Sequence, residues 1–171
     1  DTFDPFQLGS GTPGDTGDYV FNAQLLNASE AATLSDDIIG NGGIQDITVD
    51  TVVFGEIGND DGFVIGASDI DLYRFTPTVS GTVTIETDTS EIYSADTYLR
   101  LFDASGTELA ANDDATANTL SSTILASVTA GSTYYIGVNG ASDQAGNYNP
   151  LTGAGAAPGS QGNYGLLMTQ T

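Results

Sequence analysis

Short runs of apolar–polar alternation, each ended by Gly, Pro, Asn, Asp or Ser, constrain this chain more than any other feature. In residues 82–88 (TVTIETD), Val83 and Ile85 share one face while Thr82, Thr84 and Glu86 share the other. That two-residue period is the mark of a half-buried strand. Comparable runs occupy 70–76 (IDLYRFT), 97–103 (TYLRLFD), 107–111, 120–128, 133–139 and 164–169. The β-branched run 47–57 (ITVDTVVFGEI) reads as a strand, and 19–26 (YVFNAQLL) is a further candidate. The best helical propensity lies in 28–38, a run too short to hold a helix alone. About eight strands without βα alternation predict an all-β, jelly-roll-like antiparallel β-sandwich. Residues 19–171 would form it. Residues 1–18, rich in Asp, Gly, Pro and Thr, read as an extended N-terminal arm. The Gly-, Asn- and Pro-rich segment 140–162 is too long for a hairpin turn, which points to a functional loop.

Charge narrows the chemistry. The chain has 23 acids against two bases, Arg74 and Arg100, and no Lys, His or Cys. A Ser-His-Asp triad, a Ser-Lys dyad and a Schiff base are therefore excluded, as are ordinary zinc sites and disulfides. A formal net charge of -21 repels phosphate. Nucleic acid and anionic membranes are accordingly poor partners. No run of 18 apolar residues exists, so no membrane span is expected. Leu, Ile, Val and Phe make up 40 of 171 residues, just above the level of about 20% at which a highly charged chain fails to fold. Self-repulsion opposes compaction, and bound cations would offset it. The acidity, the missing Lys and the start at Asp1, which reads as a processed end, together point to an extracellular or cell-surface setting.

Most of the acids are Asp, and they gather at strand ends. If 97–103 and 107–111 form a hairpin about Ala104 and Ser105, Asp96 falls opposite Asp113, within the loop Asn112-Asp113-Asp114. Four oxygen-bearing side chains then share one hairpin end, the donor type that Ca2+ takes. The alternative is a solvated acidic turn held by Asx bonds. A second cluster comprises Asn59-Asp60-Asp61, then Asp69 and Asp71. Asp69 and Asp71 share a face with Tyr73 and Phe75, so their burial calls either for a metal or for a polar strand entry.

Other motifs carry less. Asp15-Thr16-Gly17 matches the aspartic-protease tripeptide but has no second copy. Gly42-Gly43-Ile44-Gln45-Asp46 lacks the tandem copies of a calcium-binding nonapeptide repeat and reads as a turn. Asn27-Ala28-Ser29 is an isolated glycosylation sequon. Tyr134 and Tyr135 alternate faces, one for the core and one for the surface. Tyr148 and Tyr164 are expected to pack the sandwich, and Arg74 and Arg100 to pair with carboxylates.

Taken together, DIDLYRF (69–75), SGTVTIET (80–87), ADTYLRLFDASGTELAANDD (95–114), GSTYYIGVNG (131–140) and QGNYGLLM (161–168) resemble the bacterial pre-peptidase C-terminal domain over about 47–170. The stretch 148–166 looks like the cyanobacterial and related variants. The resemblance implies a secreted, non-catalytic jelly-roll-like sandwich that accompanies proteases, collagenases among them, and binds calcium and polymeric substrate. Its Asp-x-Asp-x-Tyr-x-Phe element falls on Asp69, Asp71, Tyr73 and Phe75. Its Asn-Asp-Asp element falls on Asn112, Asp113 and Asp114, with Asp96 before it.

Two functions fit. The first is a calcium-stabilised structural subunit of an extracellular fibre or sheath, self-associating through the arm by strand addition, with Phe3, Phe6 and Leu8 filling pockets. The second is a binding module for carbohydrate or protein polymers, accessory to secreted hydrolases. A carboxylate-pair enzyme has only the abundance of Asp behind it, and no catalytic residue is assigned.

Overall fold

All seven strands expected between residues 70 and 170 form. The computed structural model describes residues 37–40, 44–60, 63–89 and 94–171. The strands are β1 (Gln45–Asp46), β2 (Val52–Ile57), β3 (Asn59–Asp60), β4 (Phe63–Val64), β5 (Ile70–Phe75) and β6 (Gly81–Asp88). They continue with β7 (Thr97–Asp103), β8 (Glu108–Asn112), β9 (Thr123–Val128), β10 (Tyr134–Gly140) and β11 (Gly162–Gln170). The predicted arm 1–18, with Phe3, Phe6 and Leu8, and the predicted strand 19–26 lie outside the described residues. Among the described residues no helix is long and apolar enough to cross a membrane.

Two sheets face each other. Sheet A runs β1-β5-β10-β7-β8 and sheet B runs β2-β11-β6-β9, while β3 and β4 form a small hairpin. Neighbours are antiparallel except β1, which lies parallel on β5. The inward faces carry Val83 and Ile85 of β6, Leu99 and Leu101 of β7, Ile136 and Val138 of β10, and Leu166 and Met168 of β11, all essentially without solvent exposure. Each such side chain contributes about 1.5–3 kcal/mol through burial. Phe75 and Tyr134 stack in the same core, with ring centroids 5.3 Å apart. Tyr135, on the opposite face of its strand, is only half-buried.

The expected strand 47–57 is shorter than its β-branched pattern suggests. β1 belongs to sheet A and β2 to sheet B, so the chain must cross between sheets. Asp50 makes the crossing with a φ of 60°, a conformation that Asp tolerates better than β-branched residues. The run 120–128 is shortened too, to 123–128, because Leu120 and Ser122 are drawn into bonds with Thr97.

The β7–β8 register also differs from expectation. The predicted hairpin sets Leu99 opposite Ala110; the structure sets Leu99 opposite Asn112 and Leu101 opposite Ala110. Asp103 is the cause. Its Oδ1 accepts from the Ser105 N–H at 2.8 Å, the Ser105 hydroxyl at 2.6 Å and the Thr107 N–H at 3.0 Å. These bonds lower its pKa, the Ser105 hydroxyl most. They open the turn to Ala104-Ser105-Gly106, with Gly106 at a φ of 80°, and the ladder shifts at a bulge beside Phe102.

Segment 140–162 covers the outer face of sheet A. It carries a single 3₁₀ turn, Ala145–Asn147, and packs Tyr148 with Ile70, Leu72 and Phe102. The Arg100 guanidinium lies 4.3 Å from the Tyr148 ring centroid and 4.6 Å from that of Phe102. It also donates to the Tyr148 carbonyl at 2.7 Å and to Glu108 at 2.6 Å. Arg74 pairs with Asp46 through two bonds of 2.6 and 2.8 Å at the surface. Both arginines thus have the carboxylate partners that the acidic composition implies.

Candidate metal centre

Asp96, Asp113 and Asp114 come together where β7 begins and β8 ends. One carboxylate oxygen from each lies within 4.8 Å of the others. The predicted register is not what unites them. The ladder ends at Leu99 and Asn112, and the chain beyond Asn112 bends back toward Asp96 through side-chain bonds.

Asn112 supplies part of that bend. Its amide oxygen accepts from the Thr123 N–H at 2.8 Å, and its amide nitrogen donates to the Asp114 carbonyl at 3.2 Å. The predicted ligand Asn112 therefore ties β8 of one sheet to β9 of the other through its amide oxygen. Beside it lies a network of buried hydroxyls. Thr87 and Thr97 are 2.7 Å apart at their hydroxyls, and those of Thr97 and Ser122 are 3.2 Å apart. The Ser122 hydroxyl donates to the Thr97 carbonyl at 2.6 Å and touches the Asp113 carbonyl. Thr87 belongs to sheet B and Thr97 to sheet A, so the corner is pinned across both sheets before any ion is considered.

On the other side, the Asp96 N–H donates to the Ser160 hydroxyl at 2.9 Å, and the Ala141 N–H donates to the Asp96 carbonyl at 2.8 Å. The covering loop is thereby fastened to the same corner. Sequence reading missed Thr87, Thr97, Ser122 and Ser160. Hydroxyl side chains are common in strands, and only the fold brings these four to one place.

The electrostatics of the corner are unfavourable without a counter-charge. Burial raises the pKa of Asp96, and the charges of Asp113 and Asp114 raise it further. Burial and then Asp114 do the same to Asp113. Asp96 is half-buried, and its Oδ1 is buried without a hydrogen-bond partner among the described residues. Three mutually repelling carboxylates with an unsatisfied oxygen suit a hard cation.

Two residues of the second predicted cluster accept hydrogen bonds within the fold. Asp69 is almost wholly buried, and its Oδ2 accepts from the Gly58 N–H at 2.6 Å, bracing the turn after β2. Asp71 accepts from the Tyr164 hydroxyl, which lies 2.6 Å from that of Tyr73. Burial, then the Asp71 charge, push the Tyr164 phenol well above its ordinary pKa. This polar group joins β5 to β11 inside the sandwich, and one oxygen each of Asp69 and Asp71 accepts a hydrogen bond. Among the described residues, neither Asp69 nor Asp71 joins a group of three metal-ligating side chains. Asp61 lies outside the described residues, and Asp60 is described only as part of β3.

Residues 69–140 match the family described as the bacterial pre-peptidase C-terminal domain, which bears out the resemblance read from the motifs over that range. Among solved structures, the chain is similar to the pre-peptidase C-terminal domain of collagenase from Bacillus anthracis. The two share 16% identity with a TM-score of 0.50, over 74% of this chain and 95% of that one. It is also similar to PliG of Aeromonas hydrophila, a periplasmic inhibitor of g-type lysozyme, at 14% identity and a TM-score of 0.49, over 80% of this chain and 100% of that one. No curated protein matches the chain.

Proposed function

On the premise that residues 69–140 form a bacterial pre-peptidase C-terminal domain, we propose that this chain is a non-catalytic, calcium-stabilised β-sandwich module of the extracellular space. It would act as an accessory that binds protein or carbohydrate polymers. The carrying observation is the meeting of Asp96, Asp113 and Asp114 within 4.8 Å at a corner shared by β7, β8 and the covering loop. Ca2+ takes six to eight oxygens, so water would complete a set begun by three carboxylates. Bound there, the ion offsets the burial and the repulsion that raise the pKa of Asp96 and Asp113. The fibre-subunit reading depends on Phe3, Phe6 and Leu8, which lie outside the described residues, and no other observation favours it.

Thermal unfolding tests the proposal. At free calcium about 100 times the dissociation constant, mass action stabilises the folded state by about 2.7 kcal/mol. In a chain of this size that raises Tm by roughly 5–10 °C. An unchanged Tm between chelator and saturating calcium contradicts the proposal.

A further inference from the structure

The outer face of sheet B combines exposed apolar side chains with carboxylates. Phe54 is 82% exposed and Val52 49% exposed, both on β2. Val52 stands opposite Leu167 of β11, which stands opposite Glu86 of β6. Phe54 stands opposite Gly165, which stands opposite Asp88. Gly165 has no side chain, so the residue directly opposite Phe54 offers its ring nothing to pack against. Glu56, Glu86 and Asp88 are all exposed around this patch. Both arginines belong to sheet A, where Arg74 is paired with Asp46 and Arg100 with Glu108. β2 is also the end strand of sheet B, and among the described residues β11 is its only ladder partner.

We infer that this face docks a cationic polypeptide segment with alternating apolar side chains. Charge selects the occupant. A second copy would bring another -21 against this face, and anionic polymers are repelled in the same way. A basic segment instead meets the exposed Glu56 and Glu86 with complementary charge while an apolar side chain covers Phe54. The edge of β2, where β11 is its only ladder partner among the described residues, suits an extended peptide, whose backbone could continue the sheet and place every second side chain beside Val52 and Phe54. The inference is independent of the calcium site.

The test uses the full chain and three fluorescein-labelled, end-blocked peptides, (Lys-Leu)4, (Lys-Ser)4 and (Glu-Leu)4, read by fluorescence anisotropy at low ionic strength. (Lys-Leu)4 should bind at least tenfold more tightly than the other two. Phe54→Ala should weaken it about tenfold. Glu56→Gln with Glu86→Gln should weaken it and flatten its salt dependence. Leu109→Ala, an exposed apolar side chain on β8 of sheet A, should leave it unchanged. Circular dichroism of each variant confirms the fold. Equal binding of (Lys-Ser)4 would overturn the inference in favour of diffuse charge, and equal binding of (Glu-Leu)4 in favour of a purely apolar face. Binding indifferent to Phe54→Ala overturns it as well. So does a Phe54-dependent dimer in sedimentation velocity, which would make a second copy the occupant.

Discussion

Gly137→Ala destabilises this domain by about 1–3 kcal/mol or more, a fall in Tm of roughly 3–10 °C, and Tyr148→Phe in the same chain recovers most of the loss. Gly137 lies in the middle of β10, between Leu72 of β5 and Arg100 of β7. A Cβ at this position would sit 1.9 Å from the Tyr148 hydroxyl, 3.2 Å from its ring carbon Cζ and 3.3 Å from Phe102. The Tyr148 ring has little freedom to retreat, because the Arg100 guanidinium lies over it and its own carbonyl is bound to Arg100. Glycine in a central strand otherwise weakens a sheet, and here it admits a ring from the covering loop. The Tyr148 hydroxyl itself is buried without a hydrogen-bond partner among the described residues. Removing it should therefore be neutral or stabilising on its own. Urea unfolding of the two single variants and the double variant measures the coupling. Equal destabilisation by Gly137→Ala with and without the Tyr148→Phe substitution would show that the hydroxyl is not the obstacle.

The second large effect is a reversal of sign. In chelator at neutral pH, the Asp113→Asn, Asp114→Asn double variant is the more stable protein; in calcium it is the less stable. Asp96 and Asp113 have pKa values raised above 3.8 in the folded state. The folded protein therefore holds those protons more tightly than the unfolded chain does. Stability from this source is present below the ordinary carboxylate pKa and is lost as pH rises through the raised values. Removing the Asp113 and Asp114 charges removes the part of that loss that comes from burying Asp113 and from mutual repulsion, while the burial of Asp96 remains. The gain in chelator is about 1 kcal/mol or less, because Asp113 and Asp114 are exposed and screened. It should shrink as the pH approaches 4. Calcium at 100-fold excess over its dissociation constant should stabilise the unmodified chain by about 2.7 kcal/mol, which exceeds the chelator difference and inverts the order. Thermal melts of both proteins in chelator and in calcium, at two pH values, read all four quantities. A double variant less stable than the parent in chelator would show that these carboxylates are not repelling one another.

The strand pattern was legible because the core is built from strict alternation. Val83 and Ile85, or Leu99 and Leu101, announce their inward face without any knowledge of partners. Pairing was less legible. The register of β7 and β8 turns on three bonds to Asp103 and a left-handed Gly106, and local turn chemistry decides such shifts. The acidic corner was found from the right residues by an inexact route. Asp96 and Asp113 do meet, but through the return of the loop after Asn112 and not through strand pairing. Asp69 and Asp71 illustrate a different limit. Their shared face with Tyr73 showed that they would be buried, yet the donors that receive them, Gly58 and Tyr164, come from β2's end and β11. Such partners are set by the packing of two sheets, which residue spacing does not encode.

Calcium binding measured by isothermal titration calorimetry on the full chain tests the central claim most directly. One ion should bind at the acidic corner, with binding weakened at least tenfold by Asp96→Asn and by the Asp113→Asn, Asp114→Asn pair. Asp103→Asn, altering a carboxylate committed to its own turn, should leave binding unchanged. Absence of binding, or binding that survives the loss of all three carboxylates, would contradict it.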